Sequence, residues 1–566
     1  MIHTRYADPA GVQALVRKGV HPLLARLWVA RGLDDSFDGS ASGWGAMTPP
    51  HRLTHARRAA ELLADAIAQG QRLLIVADYD CDGATACAVG LRGLRAMGAQ
   101  VDFLVPNRME TGYGLSPAVV DLACVHPAGK PDLLITVDNG IASLDGVAAA
   151  RAAGMEVIVT DHHLPGDTLP DALAIVNPNQ PGCDFPSKHL AGVGVMFYLL
   201  LALRAVLRER GVFPARAGPR LEQLADLLAL GTVADVVRLD TNNRLLVSQG
   251  LRRIRQGQMQ AGVRALFAIA GRSSHQASAQ DLGFFLGPRI NAAGRLADMS
   301  LGIHCLIEDD EARAMALARE LEDINRQRRD LESSMREQAL ASIDTQAQAR
   351  AASVCVFQAD WHPGIIGLVA SRLKETYARP ALAFAPAANG ELRGSGRSVP
   401  EVHLRDVLDL VSKRLPDAIL KFGGHAMAAG LTLRAPAYPD FVEHFDQAVR
   451  LLSGRDAFEA RIDTDGSLES GYVNAEVATM LQAEVWGAGF PAPLFHDTFR
   501  VVHQRLLKDK HLKLYLERGT QRIDAIWFNH NSPLPETIEA VYRLDRNEWG
   551  GRIDTQLLIE HAQPVR

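Results

Sequence analysis

The chain has 566 residues, 47% of them hydrophobic and 22% charged, a globular composition too long for one core, so that about three or four domains are expected. A formal net charge of -5 and a pI near 6.4 exclude a globally basic nucleic-acid binder, although a basic groove can sit inside an acidic average. Cys81, Cys87, Cys124, Cys183, Cys305 and Cys355 form no CxxC pair, which excludes a disulfide framework and points to reduced thiols in a cytoplasmic protein.

The N-terminal stretch MIHTRYADPAGVQALVRKG lacks the apolar segment of a signal peptide. Residues 1–70 read as helical, with apolar positions at a 3.6-residue period in LLARLWVARGL and HARRAAELLADAIAQG. From Arg72 the pattern changes to short apolar runs that end in polar residues and are followed by helical stretches. RLLIVADYD, VDFLVPN, DLLITVDNG, MEVIVTDHH and ALAIVNPN are the strands, and the alternation predicts a parallel sheet covered by helices. The run Leu190 to Leu203 is short for a membrane span and reads as a buried core helix, so no membrane association is expected. Residues 185–270 are otherwise mostly helical, with DLLALGTVADVV as a buried segment ending in a turn.

Glu308 to about Ser342 contains no Gly or Pro and mixes both charge signs, with a narrow apolar stripe at Leu317, Leu321, Ile324, Leu331 and Met335. One long, largely exposed helix joining two domains is expected there. A second α/β unit begins with ASVCVFQADWHPG and runs to about Arg455. Beyond it FRVVHQRLL, HLKLYLE, RIDAIWF, EAVYRL and DTQLLIEH alternate as strands of a small antiparallel barrel.

Chemistry concentrates at the strand ends. DYDCDG places Asp78, Asp80 and Asp82 where the first apolar strand gives way to a turn, and carboxylates so close repel one another unless a cation neutralises them. LLITVDNG ends in Asp138, and VIVTDHH ends in Asp161, His162 and His163. In a parallel sheet the strand C-termini share one edge, where ligands bind, so three acidic strand ends converge on one crevice. Asp138 taken alone also fits a helix cap, and the histidines alone a surface loop. Asp235, inside GTVADVV, would be costly to bury without a partner. Carboxylates plus imidazole without Cys suit Mn²⁺ or Mg²⁺ rather than structural zinc, and two such ions would serve phosphoester hydrolysis.

Cations stand close to Gly in several motifs: Arg108 in PNR, Arg289 in GPRIN, and Ser395 with Arg397 in GSGRS are phosphate-binding candidates. Between Phe499 and Arg522 seven Lys or Arg (Arg500, Arg505, Lys508, Lys510, Lys513, Arg518, Arg522) face only Asp509 and Glu517. That local charge, with Phe499, Tyr515 and Trp527 nearby, suits a barrel holding single-stranded nucleic acid; a solvated basic face is the alternative.

Together DYDCDG, VDNG, TDHH and GTVADVV resemble the DHH phosphoesterase superfamily, and within it the bacterial single-strand-specific exonucleases. The resemblance continues through PNRMETGYGL, LAGVGV, GPRINAAGRL, WHPGIIGLVASRL, GSGRS and GGHAMAAG, covering about residues 20–530. It implies an α/β fold: a parallel-sheet DHH domain, a long connecting helix, a second α/β DHH-associated domain and a C-terminal OB-like β-barrel. The corresponding segments are 1–70 (N-terminal helical segment), 71–305 (DHH), 306–345 (helix), 346–455 (DHH-associated) and 456–566 (barrel).

The activity it implies is metal-dependent 5′→3′ hydrolysis of single-stranded DNA to mononucleotides, in DNA repair and recombination. It implies two Mn²⁺ or Mg²⁺ ions held by Asp78, Asp80, Asp82, Asp138, His162 and Asp235, with Asp78 as a direct ligand or one step removed. Catalysis falls to Asp138, Asp161 and His163, with Asp161 orienting a histidine and His163 at the scissile phosphate. The site lies in a cleft between the two domains joined by the helix. Arg108, Arg289, Ser395 and Arg397 would bind substrate at its 5′-terminal phosphate, and Asn291 would also bind substrate. His425, in GGHAMAAG, would touch the DNA backbone, with a packing role for those glycines equally open. Trp361, His362 and Arg372 are weaker candidates. Expected partners are single-stranded DNA with a 5′ end, single-strand-binding protein and a recombination helicase, with the enzyme itself a monomer. Two other functions stay open: another DHH phosphoesterase, such as a nanoRNA phosphatase or a pyrophosphatase, and a catalytically silent single-strand-binding scaffold, which degenerate ligands would mark.

Overall fold

A computed structural model describes residues 2–33, 43–107, 111–213, 217–343, 351–455, 457–458, 461–549 and 552–565. Arg108 lies outside them. The chain divides into two compact units, one of residues 2–294, 298–322 and 463–566, the other of residues 295–297 and 323–462.

The first unit is built on a five-stranded sheet of β2 (Arg72–Ala77), β3 (Gln100–Leu104), β4 (Leu133–Val137), β5 (Glu156–Thr160) and β6 (Ala174–Val176), in the order β3-β2-β4-β5-β6. All pairings are parallel, as the strand–helix alternation requires. The chain leaves β2 toward β3 on one side and returns to β4 on the other, so the order reverses between β2 and β4. The loops diverge at such a point and leave a crevice at the carboxyl edge. The apolar run at 190–203 forms the core helix Gly192–Glu209, buried along most of its length.

Before the sheet, two short helices, Pro9–Arg17 and Pro22–Val29, and a longer one, Ala56–Ala68, carry the expected apolar faces. A strand was not foreseen there: β1 (Ile2–Thr4) pairs with β12 (Ile462–Thr464). At three residues with mixed polarity, IHT shows no alternation to read.

The C-terminal part of this unit is a closed barrel of β13 (Phe495–Leu507), β14 (His511–Arg518), β15 (Gln521–Trp527), β16 (Thr537–Trp549) and β17 (Arg552–Pro564), ordered β13-β14-β15-β17-β16. Its β15–β17 pairing is parallel and the rest antiparallel. Phe499, proposed from the sequence as a nucleic-acid-facing aromatic, is buried in the core, because its strand alternation turns it inward.

The barrel is tied to the N-terminal helices by a buried ion pair. Arg31 donates from Nη1 and Nη2 to Asp465 Oδ1 and Oδ2 at 2.8 and 2.9 Å, and from Nε to the Pro491 carbonyl. Arg244 lies with its guanidinium 3.8 Å from the Phe490 ring centre and pairs with Glu484.

The connecting helix is continuous over Glu311–Ser342, 32 residues. Its buried face is smaller-grained than expected: Ala314, Ala318 and Leu321, then Met335 and Ala339, are buried, whereas Leu331 is exposed. Three of these five buried apolar positions are alanine, which a search for large apolar residues overlooks.

In the second unit β7 (Val354–Phe357), β8 (Ala381–Pro386), β9 (Glu391–Arg397), β10 (Ile419–Gly424) and β11 (Ala428–Arg434) form a sheet ordered β10-β11-β9-β8-β7. Only β7 and β8 are parallel, so this α/β unit carries a mixed sheet.

Candidate metal centre

The three acidic strand ends meet at the carboxyl edge of the parallel sheet. β2 delivers Asp78; Asp80 then caps the helix Cys81–Ala96, its Oδ1 accepting from Gly83 N–H at 2.9 Å, and Asp82 sits in the first turn. The carboxylate of Asp82 reaches across to a second helix start. Its Oδ2 and Oδ1 accept from the N–H groups of Gly192 and Val193 at 2.6 and 2.9 Å, where the helix dipole favours negative charge. A side chain at residue 192 would strike Asp138, since a Cβ built there lies 2.6 Å from the Asp138 Cβ. Asp138 itself follows β4 with φ of 63°, a left-handed conformation that Asp tolerates better than most residues and that turns its carboxylate into the crevice.

His162 Nε2 lies 3.0 Å from Asp138 Oδ1 and 3.5 Å from Asp235 Oδ2. Asp235 ends the helix Ala225–Ala234. These three buried atoms face one another without a hydrogen bond among them. Potential ligand atoms form three groups, each within 4.8 Å: Asp78, Asp80 and Asp138; Asp82, His162 and Asp235; Asp138, His162 and His163. Asp138 and His162 each belong to two of these groups, the arrangement that two neighbouring cations would share.

The electrostatics say the same. Burial, then the Asp80 charge, lifts the pKa of Asp78 well above the carboxylate range and that of Asp82 to about 7. Burial and the charges of Asp82 and Asp80 likewise push Asp138 and Asp235 well up. So many carboxylates cannot all ionise together unless cations compensate them. Burial lowers His162 to about 4, leaving a neutral imidazole suited to ligation. Cys81 is within the motif, but its thiol is buried, burial raises its pKa, and it belongs to none of the three ligand groups.

Asp161 plays a different part. Oδ1 accepts from His163 Nδ1 at 2.7 Å and from the N–H groups of His162 and His163, while Oδ2 accepts from Ile141 N–H. Its lone pairs are committed to holding the two histidines. Burial alone would lower the His163 pKa, but its hydrogen bond and charge interaction with Asp161 outweigh this and raise it to about 9. The imidazole is therefore cationic at neutral pH.

Three residues here were not singled out from the sequence. Tyr113, in PNRMETGYGL, donates from its hydroxyl to the Asp138 carbonyl at 3.3 Å, with its ring edge-on to His163. Asn177 and Asn179 donate to the carbonyls of His163 and His162 at 3.0 and 2.6 Å. The NPN that follows β6 was a readable signal, because it lies at the same sheet edge.

The substrate candidates separate. Asn291 Oδ1 accepts from Cys81 N–H at 2.8 Å and so braces the first acidic loop. Arg289 is buried, its Nε 2.7 Å from Glu322 Oε2. In the second unit Ser395 and Arg397 lie on β9, with Arg397 Nη1 donating to Ser395 Oγ at 3.3 Å; a Cβ at Gly367 would come within 3.0 Å of that hydroxyl. His425 is exposed at the β10–β11 turn. Trp361 donates to Gln338 at 2.6 Å and Arg372 pairs with Glu332 at 2.9 Å, both packing roles, and His362 Nδ1 accepts from Gly364 N–H.

The basic stretch of the barrel is largely compensated internally. Arg500 and Arg522 pair with Glu517, Lys513 with Asp524, and Arg518 with Asp497. Arg505, Lys508 and Lys510, near the β13–β14 turn, are exposed and have no ion partner among the described residues.

Comparison with known proteins agrees with this geometry. Residues 72–232 match the DHH family N-terminal domain, 349–451 the DHHA1 domain and 464–561 the RecJ OB domain. The single-stranded-DNA-specific exonuclease RecJ of Salmonella typhimurium is 46% identical over 558 residues, covering 96% of each chain, and that of Escherichia coli is 45% identical with the same coverage. The crystal structure of RecJ from Thermus thermophilus in complex with Mn²⁺ superimposes with a TM-score of 0.82 at 29% identity, covering 100% of this chain and 80% of that one. The Mg²⁺ complex gives 0.77, covering 100% and 78%. No helix among the described residues is long and apolar enough to cross a membrane. With close relatives over nearly its whole length and all three domain types in order, the chain belongs to the family of the single-stranded-DNA-specific exonuclease RecJ.

Proposed function

We propose that this chain hydrolyses single-stranded DNA exonucleolytically from the 5′ end, releasing mononucleotides, in DNA repair and recombination. The observation that carries the reading is the trio of buried, unsatisfied atoms Asp138 Oδ1, His162 Nε2 and Asp235 Oδ2, surrounded by carboxylates that cannot all be charged without cations. Oxygen and neutral imidazole donors without thiolate fit Mn²⁺ or Mg²⁺. Asp78, Asp80, Asp82, Asp138, His162 and Asp235 would hold two such ions. Bound there, divalent ions supply Lewis acidity that withdraws charge from the phosphate and makes water a better nucleophile.

The chain's own groups do the rest. Asp161 fixes His163 through Nδ1, and Nε2–H, 3.4 Å from the Tyr113 hydroxyl, would be the donor to a non-bridging oxygen of the scissile phosphate. Asn177 and Asn179 hold the backbone of both histidines, and Tyr113 closes one side of the site. Ser395 and Arg397 are assigned to the 5′-terminal phosphate, with Arg108 as a further candidate. Asn291 braces the first acidic loop and Arg289 pairs with Glu322, and both stay candidates for substrate contact. His425 is kept as a backbone contact. Single-strand-binding protein and a recombination helicase are the partners this role implies. The complete ligand set disfavours a silent scaffold, and the matched OB domain disfavours a small-substrate phosphatase.

Digestion of 5′-labelled and 3′-labelled single-stranded oligonucleotides with Mn²⁺, or with EDTA, tests this. Mononucleotide released at once from the 5′ label, abolished by EDTA and absent on duplex, is the expected result. Cleavage confined to two- to five-residue oligonucleotides would replace the reading by a nanoRNA-type enzyme, and tight binding without cleavage by a scaffold.

A further inference from the structure

One turn of the first unit departs from regular geometry beside the metal centre. Residues Asp281–Leu286 form a π-helical turn, wider than an α-helix by one residue per turn, leading into the helix Gly287–Leu296. Asp281 holds it in place, Oδ2 accepting from Ser278 N–H and Oγ–H at 2.8 and 2.7 Å and Oδ1 from Arg272 Nε at 2.6 Å. The extra residue splits two neighbouring phenylalanines. Phe285 turns inward, its ring 4.6 Å from the Arg272 guanidinium, while Phe284 is left 76% exposed.

The turn packs on the end of the helix that carries Asp235. A Cβ at Gly283 would lie 3.1 Å from Val233 Cγ1, and one at Gly287 3.1 Å from the Ala234 Cβ, so backbone meets helix with no side chain between. Directly after Asp235 comes Val236, 70% exposed and at φ of 63°. A β-branched residue rarely adopts that conformation, and strain of this kind persists where surrounding structure imposes it. Two adjoining elements thus each expose an apolar side chain, and one of those side chains follows a candidate metal ligand in the chain.

We propose that Phe284 is a stacking platform for a nucleobase of the substrate strand, next to the phosphate bound at the metal centre. The platform rests on the single-strand hydrolase reading above and supplies what the acidic cluster lacks, a contact that requires an unpaired base. A flat apolar ring accepts any base face, so it positions the strand without reading sequence. Phe284 is a positioning residue, and a base held in a duplex stack cannot reach it.

Steady-state hydrolysis of a single-stranded 20-mer, compared with the same strand carrying one abasic residue at successive positions from its 5′ end, tests the platform. For wild type, one abasic position is expected to raise KM about tenfold, which is about 1.4 kcal/mol of binding. Phe284→Leu should raise KM on the intact strand by a similar factor, change kcat less than twofold, and lose the sensitivity to that abasic position. Phe284→Trp should restore it. Unchanged thermal midpoints and Mn²⁺ affinity confirm that both variants fold. Wild-type KM in Phe284→Leu, or retained abasic sensitivity in that variant, overturns the platform while leaving the hydrolase reading intact. Failure of wild type to degrade the strand at all overturns the hydrolase reading and the platform with it.

Discussion

The carboxyl edge of the parallel sheet and the outer face of the C-terminal barrel are both rich in one sign of charge, and they treat it in opposite ways. At the sheet edge Asp78, Asp82 and Asp138 are buried and Asp235 is half-buried beside them, with no Arg or Lys of the described residues among the main groups that set their ionisation. On the barrel four of the seven basic residues between 499 and 522 are paired with Glu517, Asp524 or Asp497. Unpaired buried charge is costly to a fold, so it persists only where something outside the chain completes it. Paired surface charge is ordinary and says little about ligands. The contrast shows why clustered acidic residues point to a candidate site while a count of basic residues does not by itself mark a nucleic-acid face.

The sharpest way to break the comparison is Asp138→Asn. Asn also tolerates the left-handed backbone at this position, so the loop should keep its shape. With the carboxylate gone, hydrolysis should fall by about a thousandfold, roughly 4 kcal/mol in barrier. In EDTA the variant should melt higher than wild type, because a buried repulsion is relieved, and added Mn²⁺ should raise its midpoint less than it raises wild type's. A variant that melts lower without metal would mean that the cluster is not strained by its own charge.

Arg31→Ala tests the opposite case, a buried charge whose partner lies within the chain. It leaves Asp465, whose side chain is 1% exposed, with the Leu494 N–H at 3.0 Å and Arg5 at 3.5 Å in place of its bidentate partner, and should cost about 3 kcal/mol in urea unfolding. Activity per folded molecule should stay near wild type. A loss of activity exceeding the loss of folded protein would show that the barrel's seating reaches the active site.

Much of the site was legible because its determinants are local: a strand's end is set by its own residues, and parallel topology then brings Asp78, Asp138 and Asp161 to one edge. What escaped depends on distant partners. The commitment of the Asp161 lone pairs, the bracing of Cys81 by Asn291 and the pairing of Arg289 with Glu322 each join residues whose proximity only the fold decides. The three-residue β1 shows no alternation of its own, and its partner β12 lies some 460 residues away in sequence. Residues beyond 535 carried little motif information, yet they supply β16 and β17, which close the barrel.

A smaller effect is expected from Asp226, a buried acid outside the metal centre. Burial raises its pKa to about 6 against an unfolded value of 3.8, although Oδ2 accepts from Gln260 N–H at 2.6 Å. A raised carboxylate pKa means that the folded state binds the proton more tightly. Its contribution is therefore present below about pH 3.8 and is lost as pH rises through about 6. Asp226→Asn should remove that decline, gaining about 2 kcal/mol relative to wild type between pH 4 and pH 7 in urea melts. A constant difference between the two across that range would show that the carboxyl is charged in the fold throughout.

The barrel offers the finest division, because it contains both kinds of cation on one surface. Arg505, Lys508 and Lys510 lack ion partners among the described residues, whereas Arg500 is held by Glu517. If unpaired cations are those that meet phosphate, replacing all three by Gln should weaken binding of a long single strand by about tenfold at low salt. The slope of log affinity against log salt should become shallower by about 2, since each phosphate contact on a single strand contributes about 0.7. Arg500→Gln should leave the slope within about 0.3, because its charge is already neutralised. Equal slopes for wild type and the triple variant would remove the barrel turn from the DNA path. A large change from Arg500→Gln would show that the pair with Glu517 opens when DNA binds, so that pairing in the free protein would no longer separate structural cations from binding ones.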